Sequence, residues 1–399
     1  MDRDPRVSCQ DDAHASTAAP SPVIIPQRDV RIDFLRGLAL IVIFIDHTTE
    51  TYRAAGGHAY YLPTLRDFGL CSAAEFFFFL SGYVFAIAHG RIMDRSGVQS
   101  SHRKAIQRAA QIYAANVLIF SAVAFIVMPL SSRPDDYMHF SGLWLLRDQP
   151  QQAIWRFLTL RYLPAYTDIL PLYIIFVVLA PFVLLALRRL AVLTLVISLS
   201  IYVAANWLPW LGFPLTANLD EQWGLNPFSW QLLFVAGLAF GTRTRRAEVS
   251  SSAQSRFERT SAWCALTLLF AIAVARGIAG AAKLLGNGDW SALQRAFALP
   301  GLGMTHAGPV RLGYFAMLLF VVFRLMPPSP WFERRRWSWP ITACGSRSLT
   351  IFAASTALAQ FVALTMLRLV HGYVVFLTFI AGSIIAVLCL GVLLRRRPT

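Results

Sequence analysis

RIDFLRGLALIVIFIDHTTE, residues 31–50, is the stretch on which the fold turns. Its middle is apolar enough for a membrane helix, yet Arg36 stands near its start and Asp46 and His47 near its end. Ionisable side chains inside hydrocarbon are costly, and they mark pathways, sites or interfacial anchors. Arg36 and His47 are eleven positions apart. On a helix they fall within roughly 20° of each other, about 16–17 Å apart along the axis. Asp33 precedes Arg36 by one turn and can pair with it on that face. Asp46 points about 100° away from His47. Taken singly, an arginine can snorkel to headgroups and a neutral histidine can serve as an interhelical hydrogen bonder. The shared face and the adjoining Asp46 favour a polar stripe joining the two sides of a membrane.

The remainder of the chain fits that reading. Of its 399 residues 56% are hydrophobic and 14% charged, with mean hydropathy +0.53; soluble domains carry roughly 25% charged residues. Ten apolar runs are candidate spans, at 34–52, 69–89, 107–129, 168–187, 190–208, 229–242, 260–282, 309–326, 341–365 and 372–394. Each approaches the ~20 residues that cross a bilayer. The expected fold is an all-α polytopic transmembrane helix bundle. The net charge of +15 collects in RIMDRSGVQSSHRKAIQR, Arg188–Arg189, GTRTRRAEVSSSAQSRFER, PSPWFERRRW and RRRPT. Ten spans put all of these on one side, the cytoplasmic side by the positive-inside rule, together with both termini. That distribution argues for the lipid bilayer as partner and against nucleic acid.

Residues 1–30 have no apolar core and read as a disordered cytoplasmic tail, not a signal peptide. Residues 31–395 read as one membrane domain, without internal repeat or phosphate-binding glycine loop. The five cysteines have no metal-ligand spacing and read as small buried hydrophobes, so no metal is expected. The opposite, outer side carries longer loops. Within one of them LWLLRDQPQQAIWRFLTLRYL is amphipathic and suits the outer interface.

The second apolar run opens with CSAAEFFFFLSGY, residues 71–83. Its chain turns near residue 61, so Glu75 and His47 stand at matched depth on antiparallel helices. A carboxylate beside an imidazole fixes its tautomer and raises its basicity, as a general base requires. The lesser alternative for Glu75 is an interfacial carboxylate facing outer water. Ser81–Gly82 suits close helix packing, and Phe76–Phe79 suits lipid or core contact.

Arg36, ten residues, then His47 is similar to the Arg-X10-His pattern of acyltransferase-3-type membrane enzymes. Closer still, RIDFLRGLALIVIFIDH, FGLCSAAEFFFFLSGY, YTDILPLY, NPFSWQLLFVAG and CGSRSLTIF resemble, in order, blocks of the OpgC family over roughly residues 28–395. Where that family often reads SDAAE, this chain has Ser72 in place of the Asp, and SALQRAFAL resembles a further block around Arg295.

The resemblance implies a bacterial inner-membrane O-acyltransferase. It would move an acyl group, succinyl in the family, from cytoplasmic acyl-CoA to hydroxyls of periplasmic glucans, with no permanently bound cofactor. His47 would be the general base, acting directly or through a transient acyl-histidine, with Glu75 orienting it and Asp46 beside it. Arg36, with Arg31 a turn and a half earlier, would hold the phosphates of CoA. Arg347 would join them or serve as a positive-inside anchor. Asp168, Asn226, Trp230 and Gln231 would meet the sugar, although Asp168 also fits a helix cap and Asn226–Pro227 a turn. The same residues accommodate an O-acetyltransferase of another envelope polysaccharide. A transporter or flippase would need matched broken helices in two halves, a symmetry absent from this sequence. A non-catalytic scaffold leaves the Arg36–His47 register unexplained.

Overall fold

The structure is a computed structural model and describes residues 29–58, 60, 62–130, 134–164, 166–208, 224–247, 256–285 and 303–396. Among them every regular element is an α-helix. In chain order these are α1 (Val30–Ala54), α2 (Leu65–Phe68), α3 (Ala73–Leu130), α4 (Pro134–Ser141), α5 (Trp144–Asp148), α6 (Pro150–Leu158), α7 (Ile169–Arg189) and α8 (Ala191–Trp207). There follow α9 (Pro227–Ala247), α10 (Arg256–Leu285), α11 (Pro309–Leu325), α12 (Ser329–Glu333), α13 (Ser338–Ser346), α14 (Ser348–Leu369) and α15 (Tyr373–Arg396).

Among the described residues five helices are long and apolar enough to cross a membrane: the runs Ala73–Pro129, Ile169–Arg189, Ser261–Ile278, Ser348–Leu369 and Tyr373–Arg395. Their outward faces are apolar too. Phe125 is 82% exposed and Val374 77%, side chains that water would penalise and lipid accepts.

Local sequence sets the helix ends. Asp29 caps α1, its Oδ1 accepting the Arg31 N–H at 3.0 Å. At the other end Gly56, at φ 88°, takes the left-handed conformation that stops the helix. Two expectations need correction. The basic segment 90–108 is not a loop: the second and third apolar runs form one helical stretch, broken only at Gly97 (φ 78°, ψ 173°). The ninth run, 341–365, is not one helix either. It divides into α13 and α14 at Arg347, whose φ of −121° and ψ of 39° leave the helical region.

Glycine and phenylalanine assemble the centre. α3 packs on α7 and α9, and α1 on α13 and α14. A Cβ on Gly82 would lie 2.1 Å from the Phe234 carbonyl oxygen, and one on Gly237 2.1 Å from that of Phe79. Backbones this close are the contact small residues allow between helices in lipid, where packing replaces the hydrophobic drive. Phe76–Phe79 are all buried. Phe76 meets Phe315, Phe77 meets Tyr173 and Phe352, and Phe78 meets Trp230. The aromatic run is therefore the core where α3, α7, α9, α11 and α14 converge.

Candidate functional site

The stripe on α1 ends in two separate cavities. The first, of about 890 Å³, is lined by Arg36, Arg108, Arg347 and Arg395, with the carboxylates Asp33 and Glu333 at its wall. Arg36 Nη2 donates to Ser348 Oγ at 2.5 Å, and Arg395 lies over the Trp339 ring at 5.8 Å. The break at Arg347 puts that guanidinium and the Ser348 hydroxyl at the mouth of α14, opposite Arg36. Four guanidiniums around one basin suit a polyanion, because their planar forks bind phosphate oxygens in pairs. Arg31 does not line it. Its guanidinium pairs with Asp29 at 2.8 Å, and Asp29 also accepts from Ser329 Oγ at 2.6 Å.

The second cavity, of about 510 Å³, is lined by His47, Asp46, Tyr166, Asp168, Ser72 and Arg311, among others. His47 Nδ1 is buried without a hydrogen-bond partner, which leaves Nε2 as the nitrogen that meets the basin. The Tyr166 ring lies against the imidazole, centroids 4.1 Å apart. Tyr166 stands at φ 70°, a left-handed conformation that an aromatic residue adopts only when its surroundings hold it there. Those surroundings are a relay. Tyr137 donates to Gln360 Oε1, Gln360 Nε2 to Thr51 Oγ1 at 3.1 Å, and Thr51 and Glu50 make 3.5 Å contacts with the Tyr166 hydroxyl. Burial raises the pKa of this phenol well above its ordinary value, so the hydroxyl stays protonated. On α2, desolvation lowers the Arg66 pKa, but the Glu50 carboxylate paired with it outweighs that and holds it up.

The sequence-predicted residues divide sharply. Asp46 lines the outer basin but is bonded to the α2 segment, its Oδ1 accepting from Thr64 Oγ1 at 2.6 Å. Asp168 also lines it, and its Oδ2 would lie 2.8 Å from a Cβ on Gly224, so the loop backbone passes close to this carboxylate. Glu75 does not orient His47. It is fully buried and accepts from Arg311 Nε, from Ser72 N at 2.9 Å and from Ser72 Oγ at 2.7 Å. Matched depth placed Glu75 correctly along the axis, but its helical phase turns it to α11.

Asn226, Trp230 and Gln231 do not line the basin either. Asn226 Oδ1 caps α9 through Phe228 N at 2.9 Å. The Trp230 indole N–H reaches Met304 O at 3.0 Å, and Gln231 exchanges 2.7 Å bonds with Ser198 on α8. Arg295 falls outside the described residues. Sequence reasoning missed Arg311, Tyr166, Arg108 and Arg395. Arg311 carried a signal, a charge two residues into an apolar run; the uncharged Tyr166 carried none.

Two buried apolar side chains mark the change from one basin's lining to the other's along α1 and α14. On α1, Leu40 lies between Arg36 and Ile43, the latter at the outer basin; on α14, Ala353 faces the inner basin and Phe352 the outer one. Leu40 is 0% exposed and Phe352 1%.

Apolar helices carrying an arginine-lined basin and a histidine-lined basin on a single helix define a membrane protein with an internal polar site. The chain belongs to the OpgC protein family, whose family model matches residues 28–397. That membership makes it an acyltransferase-type membrane protein. No curated protein and no solved structure gave a match.

Proposed function

We propose that this protein is a bacterial inner-membrane enzyme that transfers an acyl group, succinyl in the first instance, from cytoplasmic acyl-CoA to hydroxyls of periplasmic glucans. In this reading the chain crosses the bilayer ten times with both termini in the cytoplasm, as a single domain. The observation that carries it is the pair of basins on α1: four guanidiniums line one and an imidazole lines the other. The inner basin takes the phosphates of CoA. The pantetheine arm covers the rise of about 16–17 Å along α1 to His47. A sugar hydroxyl enters the outer basin, where Asp168 is placed to accept a hydrogen bond from it. His47 Nε2 removes the hydroxyl proton as the oxygen attacks the thioester carbonyl, then returns a proton to the departing thiolate.

Binding of acyl-CoA to the purified Arg36→Ala protein tests the donor half. Loss of one charge-assisted contact, worth about 1.5–3 kcal/mol, weakens affinity by about 10- to 100-fold. Unchanged affinity reduces Arg36 to an anchor of topology. Tyr166 gives a second expectation. Tyr166→Phe keeps the ring against His47 and leaves turnover within about threefold, whereas Tyr166→Ala releases the imidazole and lowers it by about 10-fold or more. Equal turnover of the two variants would remove the ring from the site.

A further inference from the structure

We infer that Arg311 supplies the oxyanion-stabilising hydrogen bond of the acyl transfer, and that Glu75 and Ser72 hold it in position. The inference rests on the acyl-transfer reading of the outer basin. It starts from a guanidinium with five donors. Arg311 Nε donates to Glu75, and Nη2 donates to Ser72 Oγ at 3.0 Å. Ser72 Oγ in turn donates a hydrogen bond to Glu75 Oε2 at 2.7 Å. The Glu75 contact lies behind the basin wall, where Glu75 is fully buried, and Ser72 stands in the wall itself. Nη1 has no hydrogen bond among the described residues and is not among the buried atoms left without a partner, while Arg311 lines the basin that His47 lines. The guanidinium is thus clamped on one edge and offers the other to the cavity.

The chemistry needs a donor there. When the hydroxyl oxygen bonds to the thioester carbon, the carbonyl π electrons move onto oxygen, and His47 Nε2 holds the hydroxyl proton. The oxyanion collapses back to a carbonyl as the carbon–sulfur bond breaks, and the thiolate takes the proton from His47. A preorganised N–H aimed at that oxygen stabilises only the charged state, and donors of this kind are worth about 10²–10³ in kcat. Elsewhere on the basin wall, Arg66 is paired with Glu50, and Asp46, Glu50 and Asp168 are acceptors. Arg311 is the cation whose tethers leave a prong directed inward. The Glu75 pair also explains why a buried carboxylate sits so close to the site without touching the base.

The experiment measures kcat and KM in reconstituted vesicles with succinyl-CoA and, separately, acetyl-CoA as donors. Two variants are compared with wild type. Arg311→Lys keeps the charge beside Glu75 but lacks the fork that reaches Glu75, Ser72 and the basin together. The double variant Glu75→Gln/Arg311→Gln removes both charges, so neither is left buried alone. In both, kcat is expected to fall by about 10²-fold or more, with KM for the donor unchanged and the loss equal for the two donors. A loss confined to succinyl-CoA and seen in KM would make Arg311 a reader of the acyl carboxylate and overturn the oxyanion role. Variants within about threefold of an active wild type would overturn this assignment alone. A folded wild type that transfers neither acyl group would overturn the acyl-transfer reading and this assignment with it.

Discussion

His47→Ala protein is expected to accumulate normally, bind acyl-CoA as wild type does, and transfer essentially no acyl group. A positioned general base contributes about 10²–10⁴ to rate, and among the described residues no second imidazole lines the outer basin. The fold should tolerate the change. His47 makes no bond to Glu75, its Nδ1 has no hydrogen-bond partner among the described residues, and the ring lies against the Tyr166 face. Removing it enlarges a basin that already exists rather than opening a sealed void in the core, so the usual cavity cost is largely avoided. The measurement is acyl content of the glucan fraction from cells expressing each protein, with the thermal midpoint of the purified proteins in detergent as the control for folding. Wild-type levels of modification in the variant would end the base assignment.

The second large effect is structural. Gly37→Val is expected to lower abundance and thermal stability severely, and to abolish acyl-CoA binding in whatever protein survives. A Cβ at Gly37 would stand 2.0 Å from the Ile341 carbonyl oxygen, and one at Gly345 would stand 1.8 Å from that of Asp33. α1 and α13 therefore touch backbone to backbone, with no flexible side chain able to yield. Overpacking a tight contact costs about 1–3 kcal/mol and at times more, and here relief requires two helices to move apart. Arg36 neighbours one glycine and Arg347 lies just past the other, so the inner basin is pulled open with the helices. Gly382→Ala is the control. Nothing lies within 4 Å of its added methyl, and alanine is favoured over glycine in a helix by about 0.5–1 kcal/mol. Equal stability of the two variants would contradict the close approach of α1 and α13.

Much of this arrangement could be read from the residues before any coordinates. Apolar runs located the long helices, because a helix in lipid must satisfy its own backbone and so declares itself by length and composition. The spacing of Arg36 and His47 foretold that both ends of one helix face would be polar. Reading failed where angle or tertiary partner decides. Depth placed Glu75 beside His47, but only the rotation of α3 determines that it meets Arg311. Asn226, Trp230 and Gln231 have the chemistry of sugar contacts, yet the turn into α9, the Met304 carbonyl and the packing of α9 on α8 consume them in turn. The split at Arg347 left no mark in the sequence, which has neither proline nor glycine at that position. Arg108 lies on the arm of α3 beyond the break at Gly97, where the basic segment expected to be a loop is helical, and it lines the inner basin.

Leu40 and Phe352 carry a last implication. A cell that stores energy as a proton gradient cannot tolerate a wet shaft through its envelope, yet a catalyst drawing donor from one side and acceptor from the other needs a route across. An oily plug one or two side chains thick meets both demands. It denies ions a hydrated path while the protein idles and, in the acyl-transfer reading, parts around a slender thioester arm whose charge, for a succinyl donor, is confined to the terminal carboxylate.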